Sequence, residues 1–307
     1  MSLDLAYLRA CAARGPFVRI LITRTAGSVP REAGTSMIVW AEGQEGTIGG
    51  GRLEWEAVAE ARAMLPQGGI AVRNYPLGPH LGQCCGGFVS VVFEVFAKDI
   101  PDSLPYARPL GPNAHWGAKI ARAAERLHPS HSPAVVGDWL IETGPAAPHQ
   151  IWIWGAGHVG RALVGVLAPL PDLALTWVDI AQSRFPEVIP PNVTSLIVQK
   201  PQGVVRHAPK AADHIIVTHS HSLDLELCHA LLGHEFGSAG LIGSATKWAR
   251  FKGRLSALGH SSAQISRISC PIGDISLGKH PQAIALGVAT ALLSRAEEAA
   301  HKNTGAM

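Results

Sequence analysis

The chain has 307 residues, enough for two domains with cores of their own, and its 47% hydrophobic content excludes a disordered polypeptide. A formal net charge of +3 is too small for a general nucleic-acid binder. Five cysteines, at 11, 84, 85, 228 and 270, are odd in number and lack C-x-x-C spacing, which argues against a disulfide framework and for a reducing compartment.

Residues 1–15 carry Asp4, Arg9 and Arg14 without an uninterrupted apolar run, so no leader segment is expected there. The spacing of Leu3, Leu5, Leu8 and Cys11 predicts a short helix over 3–14. Strands are expected at 18–23 and 36–40, around an ordered loop at 24–35 punctuated by Gly27, Pro30 and Gly34. After turn material at 42–46, Gly49, Gly50 and Gly51 precede a helix over 53–65 with Leu53, Ala57, Val58, Ala61 and Leu65 on one stripe. Glycines ahead of a helix expose backbone amides and make a candidate anion nest; the alternative is a turn that only allows close packing. Strands at 70–75 and 88–96 complete an α+β domain over 1–100 and flank 77–87, which holds Gln83, Cys84 and Cys85. The proline-rich 101–113, a helix at 114–127 and a strand at 139–142 read as a linker with a helix over 101–149.

From 151 the pattern alternates: strands at 151–154, 173–178, 194–198, 214–218, 240–243 and 265–269, with helices at 158–168, 223–233, 245–258 and 281–296. The expected fold class is therefore α/β. A Rossmann-like doubly wound parallel sheet over 150–300 follows the smaller α+β domain, and 301–307 is a tail. The apolar run 283–293 is too short to span a bilayer, so a soluble, cytoplasmic protein with no membrane partner is expected.

The first chemical signal is Gly155, Gly157 and Gly160 between the strand at 151–154 and the helix that His158 opens, a G-x-G-x-x-G turn that seats a phosphate on free amides. Asp179, closing the next strand, can accept a ribose hydroxyl. Taken alone, this unit points to an NAD(P)-dependent oxidoreductase; the alternative is a glycine turn that binds nothing. Thr218, His219, Ser220, His221 and Asp224 fall just past another strand, facing the same crevice. There His-x-His can hydrogen-bond a cofactor or hold a metal, and Ser222 or Asp224 can cap a helix. Ser244 or Thr246 can cap the helix carrying Lys247, Arg250, Lys252 and Arg254, whose amides and cations suit a phosphate. Cys84 and Cys85, flanked by Gly82, Gly86 and Gly87, suit a soft metal or the carriage of sulfur, or are small buried hydrophobes. Glu32 and Glu54 have no visible acid–base partner, and no Ser-His-Asp arrangement is present, which points to binding rather than catalysis.

Eight strings carry a resemblance: GSVPREAG at 27–34, GTIGGGRLE at 46–54, LGPHLGQCCGG at 77–87, IWGAGHVGR at 153–161, VTHSHSLD at 217–224, GLIGSATK at 240–247, RISCPIG at 267–273 and GKHP at 278–281. In this order they resemble the XdhC/CoxI family, accessory proteins for the maturation of molybdenum hydroxylases such as xanthine dehydrogenase. The resemblance implies a non-enzymatic chaperone that binds the molybdenum cofactor, a molybdopterin with a dithiolene and a phosphate. It would hold the cofactor while a cysteine desulfurase exchanges oxygen for sulfur, then insert it into the molybdenum-binding subunit of apo-xanthine dehydrogenase; a homodimer is a further expectation. Cys84 and Cys85 would lie near the molybdenum or the sulfur being delivered, and Gln83 would bind the cofactor beside them. Gly155, Gly157, His158, Gly160, Ser244 and Lys247 would hold the phosphate side, and Gly50, Gly51, His219 and His221 would line the remainder.

Overall fold

Residues 17–22 are apolar at every position but one, a composition that suits a strand covered on both faces. In the computed structural model, which describes residues 3–78, 86–131 and 133–304, they form most of β1 (Phe17–Ala26), the centre of a five-stranded antiparallel sheet. Its neighbours are β2 (Ser36–Trp40), β3 (Gln44–Gly46), β4 (Ile70–Pro76) and β5 (Phe88–Phe96), in the order β3-β2-β1-β5-β4. The expected turn at 42–46 thus carries a short edge strand. Val18, Ile20 and Ile22 point to one face and pack with Leu53, Ala57 and Ala61 of α2 (Gly51–Met64). On the other face Phe17 meets Leu8 and Cys11 of α1 (Leu5–Ala13), whose N-cap Asp4 accepts from the amides of Ala6 and Tyr7.

The stretch expected as a linker differs from that expectation. Around α3 (Ala118–Arg126) it forms a three-stranded sheet of β6 (Tyr106–Pro109), β7 (Ala134–Val136) and β8 (Trp139–Glu142), in the order β6-β8-β7. Leu140 packs on Leu21 and Val92 of the larger sheet. Beside it Glu142 receives a bidentate pair of bonds from Arg19, at 2.8 and 2.9 Å, and a further bond from Arg108. Arg108 also binds Glu94, which accepts from Tyr106. Burial alone would raise the Glu142 carboxyl, but the two guanidinium groups hold it down at about 2. β8 has the bounds expected for a strand at 139–142, whereas β6 lies in the proline-rich stretch and β7 has only three residues, too few to show a period in the sequence. Residues 1–146 form one compact unit, and 147–307 form a second.

The second unit is a six-stranded, wholly parallel sheet: β9 (His149–Trp154), β10 (Leu173–Asp179), β11 (Val193–Ile197), β12 (Asp213–Ile216), β13 (Ser238–Leu241) and β14 (Ile268–Ser269). The order is β11-β10-β9-β12-β13-β14. Along β9 the pleat sends Ile151 and Ile153 into one core and Trp152 and Trp154 into the other. The first core is closed by α4 (His158–Leu167) and α8 (Pro281–Thr304), the second by α5 (His221–Leu232) and α6 (Ala245–Ala257). Helices on both faces of a parallel sheet make it doubly wound, as the alternation predicted. The expected strand at 265–269 is reduced to β14, because Ser261 and Gln264 form a capping box that starts α7 (Ser262–Ile265) instead. The order in which strands are added reverses between β9 and β12, with β10 and β11 laid down on one side and β13 and β14 on the other, so a crevice opens beyond their carboxyl ends.

Candidate functional site

The 155–160 turn occupies that switch point. Two of its glycines have internal reasons. Gly155 has a positive φ of +122°, and an added Cβ would stand 2.6 Å from the Val217 carbonyl oxygen. At Gly160 an added Cβ would meet the Gly155 carbonyl oxygen at 1.9 Å, the close helix–strand approach that the third glycine of this turn permits. Gly157 is different. Its φ of −77° suits any residue, and an added Cβ would meet nothing within 4 Å. Packing does not require glycine there, and the space over its backbone is open. No side chain caps α4, so the amides opening the helix face this space beside the exposed His158.

Asp179 is buried and its carboxylate is bonded within the chain. It accepts from the amides of Ala156 at 2.5 Å and Ile180 at 2.6 Å, and pairs with Arg184 at 2.9 Å. Trp177 donates from its indole to the Gly155 carbonyl at 2.9 Å. Strand β10 therefore clamps the glycine turn from below, and Asp179 acts on the loop rather than standing open to a ribose.

Past β12, Ser220 rather than Ser222 or Asp224 caps α5, its hydroxyl accepting from the Leu223 amide. Asp224 is fully buried, accepting from the Thr218 hydroxyl at 2.7 Å and from the Lys247 ammonium at 2.5 Å. Lys247 also donates to the Ile242 carbonyl at 2.9 Å. An added Cβ on Gly243 would stand 2.8 Å from Lys247 Cδ and 3.3 Å from Cys270 Sγ, so that glycine lets the lysine pass inward. This corrects the expectation of a free ammonium at the start of α6. The cation is turned in because a buried carboxylate demands a counter-charge. Ser244 caps α6 as expected, accepting from the Lys247 amide at 3.2 Å, while Arg250, Lys252 and Arg254 are exposed farther along the helix. His219 and His221 are exposed at the crevice. Among the described residues no group of three or more His, Cys, Asp or Glu is placed to hold a metal ion.

The turn at 49–51 departs from the open anion nest that its glycines suggest. Glu54 fills it, accepting from the amides of Ile48 and Gly50 at 3.0 Å each and from the Thr47 hydroxyl. Burial opposes the charge, but bonds from Thr47, Gly50, Ile48 and Gln44 prevail and hold the Glu54 carboxyl low. Gly50 and Gly51 are thus placed around a carboxylate of the chain itself. The signal was present: an acid in a helix's first turn is attracted to the amides that precede it.

Gln83, Cys84 and Cys85 lie outside the described residues. The described thiols are not activated. Burial pushes Cys11 and Cys270 up, and pushes Cys228 up to about 12 despite the Lys247 charge nearby.

Fold and crevice together define a Rossmann-type domain whose glycine turn is open at Gly157 and whose nearby acid is engaged internally. Residues 151–292 match the XdhC Rossmann domain and residues 10–76 match the XdhC and CoxI family. The chain belongs to the XdhC and CoxI family. The uncharacterized protein YqeB of Escherichia coli K12 is 26% identical over 287 residues, covering 91% of this chain and 43% of YqeB, so the chain spans less than half of that relative's length. A crystal structure of a xanthine dehydrogenase from Bacillus halodurans matches 96% of each chain with a TM-score of 0.74 at 20% identity, a likeness of fold. No helix of the described residues is long and apolar enough to cross a membrane.

Proposed function

We propose that the protein binds the molybdenum cofactor and acts as an accessory factor in the maturation of a xanthine dehydrogenase, rather than as an enzyme. Family membership suggests the accessory role. The observation that carries the ligand is the contrast within the phosphate turn: open backbone at Gly157 beside an Asp179 carboxylate already bonded to Ala156, Ile180 and Arg184. A phosphate can approach, whereas a ribose would meet a buried carboxylate already holding three internal partners. This favours a phosphate ester without a ribose over a nicotinamide dinucleotide. The open amides at the start of α4 and the exposed His158 would seat the phosphate, and His219 and His221 would line the crevice beside it. Bound molybdopterin would supply the dithiolene-held molybdenum at which sulfur replaces oxygen. Cys84 and Cys85 would contact that centre. A cysteine desulfurase and the molybdenum-binding subunit of the dehydrogenase are the proposed partners.

Protein purified from a molybdopterin-making strain is expected to carry about one equivalent of the cofactor by mass and metal analysis, and replacing Cys84 and Cys85 together should weaken retention or sulfuration. Protein that co-purifies empty and instead enhances NADH fluorescence at micromolar concentration would overturn the reading in favour of the oxidoreductase alternative.

A further inference from the structure

We infer that the Rossmann unit holds its ligand at two points: the phosphate on the 155–160 turn, and the flat heterocycle in a separate apolar cleft beyond β13 and β14. This inference rests on the molybdopterin reading above. The cleft has a volume of about 620 Å³, within the size range of small-molecule sites. Ile242, Pro271, Ile272 and Ile284 form its walls, and Ile275 stands at the lip, 71% exposed. That lip belongs to a one-turn helix (Ile275–Leu277), whose N-cap Asp274 accepts from the Ser276 amide at 2.8 Å.

Branched aliphatic walls suit the faces of fused rings. Besides the Asp274 carboxylate, the polar groups at the rim are donors. Lys279 is exposed there, and the Ser244 hydroxyl accepts from the Lys247 amide, leaving its own proton free. Ala245 and Thr246 are the first two residues of α6, whose amides the helix does not itself satisfy. Such donors match the carbonyl oxygen and ring nitrogens of a neutral pterin. Because Lys247 is bound to Asp224, the cleft carries less positive charge than the sequence of α6 suggests, which favours a ring over the phosphate.

The spacing agrees. Two strand steps separate β9 from β13 in the sheet order. At about 4.8 Å per step, the carboxyl ends of β9 and β13, which lead into the glycine turn and the cleft, stand about 10 Å apart. That is the reach of a phosphate ester joined to a fused tricycle, lying across the switch point.

The test uses the whole chain and two probes: molybdopterin released anaerobically from a denatured molybdoenzyme, and the same material after phosphatase treatment. Ala245→Trp fills the cleft from an exposed position; Gly157→Val closes the phosphate approach; Lys279→Glu reverses the rim charge without touching the packing. Thermal midpoints verify that each variant is folded. Ala245→Trp is expected to weaken both probes about tenfold or more, whereas Gly157→Val should weaken only the phosphorylated one. Lys279→Glu should weaken both by a smaller factor. If Ala245→Trp and Lys279→Glu bind both probes as the unaltered chain does, the cleft is not the ring subsite, although the cofactor reading stands. A loss in Ala245→Trp confined to the phosphorylated probe would make the cleft a phosphate seat and overturn the assignment. Failure of the unaltered chain to retain either probe would overturn both readings.

Discussion

Two glycine-rich turns, 49–51 and 155–160, each precede a helix and look alike in sequence, yet they end in opposite states. At 49–51 the chain supplies its own anion: the Glu54 carboxylate sits on the Ile48 and Gly50 amides. At 155–160 the neighbouring acid, Asp179, binds the amide of Ala156 and holds the loop from one side, while the backbone at Gly157 stays uncovered. A nest becomes a ligand site only where the protein leaves the amides unfilled. The same rule applies to cations, since Lys247 is a phosphate-binding residue by spacing and the counter-ion of Asp224 by structure.

The sharpest test of internal pairing is Lys247→Met, which leaves the Asp224 carboxylate buried with only the Thr218 hydroxyl and no counter-charge. Chemical denaturation should record a loss of about 3–5 kcal/mol, and adding Asp224→Leu should recover much of it. No loss in the single variant would return Lys247 to the list of free ligands.

Acid should distinguish the two units next. Burial, with the neighbouring His234 charge, depresses His214 to about 4, below its unfolded value of about 6.5. The unfolded chain then binds more protons between these values, so stability should fall by about 3 kcal/mol as pH drops from 6.5 to 4. Glu142, held at about 2, contributes stability that is present above pH 4.5 and lost from there down to 2. Signals from the second unit should therefore weaken at higher pH than those from the first. His214→Phe should flatten the upper window alone; an unchanged profile would remove His214 as its source.

Within the open turn, Gly160→Ala drives a Cβ onto the Gly155 carbonyl and should cost about 3 kcal/mol. Gly157→Ala should change stability by less than about 0.5 kcal/mol, because nothing stands near the new methyl. A large loss at position 157 would mean that this glycine, too, serves packing. In the first nest, Glu54→Ala vacates the amides at a cost of about 1 kcal/mol, between those two effects and partly restored by added sulfate. If sulfate protects the unaltered chain equally, its action lies elsewhere than in the 49–51 nest.

The sequence by itself determined the architecture around the site. Apolar runs every 20 or so residues, with glycines at 155, 157 and 160, specify a parallel sheet and its phosphate turn, because those signals are local and periodic. The family strings likewise identify the chain without any contact. Of the small sheet at 106–142 only the strand at 139–142 was legible, since β6 and β7 carry too little periodicity and the sheet is stabilised by Arg19 and Glu94 from distant strands. Only the tertiary structure decided which charged groups remain available. Asp224 and Lys247 lie 23 residues apart and meet across strand ends, and Asp179 reaches back to an amide 23 residues earlier. Burial makes each of these charges seek a partner, and which partner is near is set by the folded sheet rather than by sequence spacing.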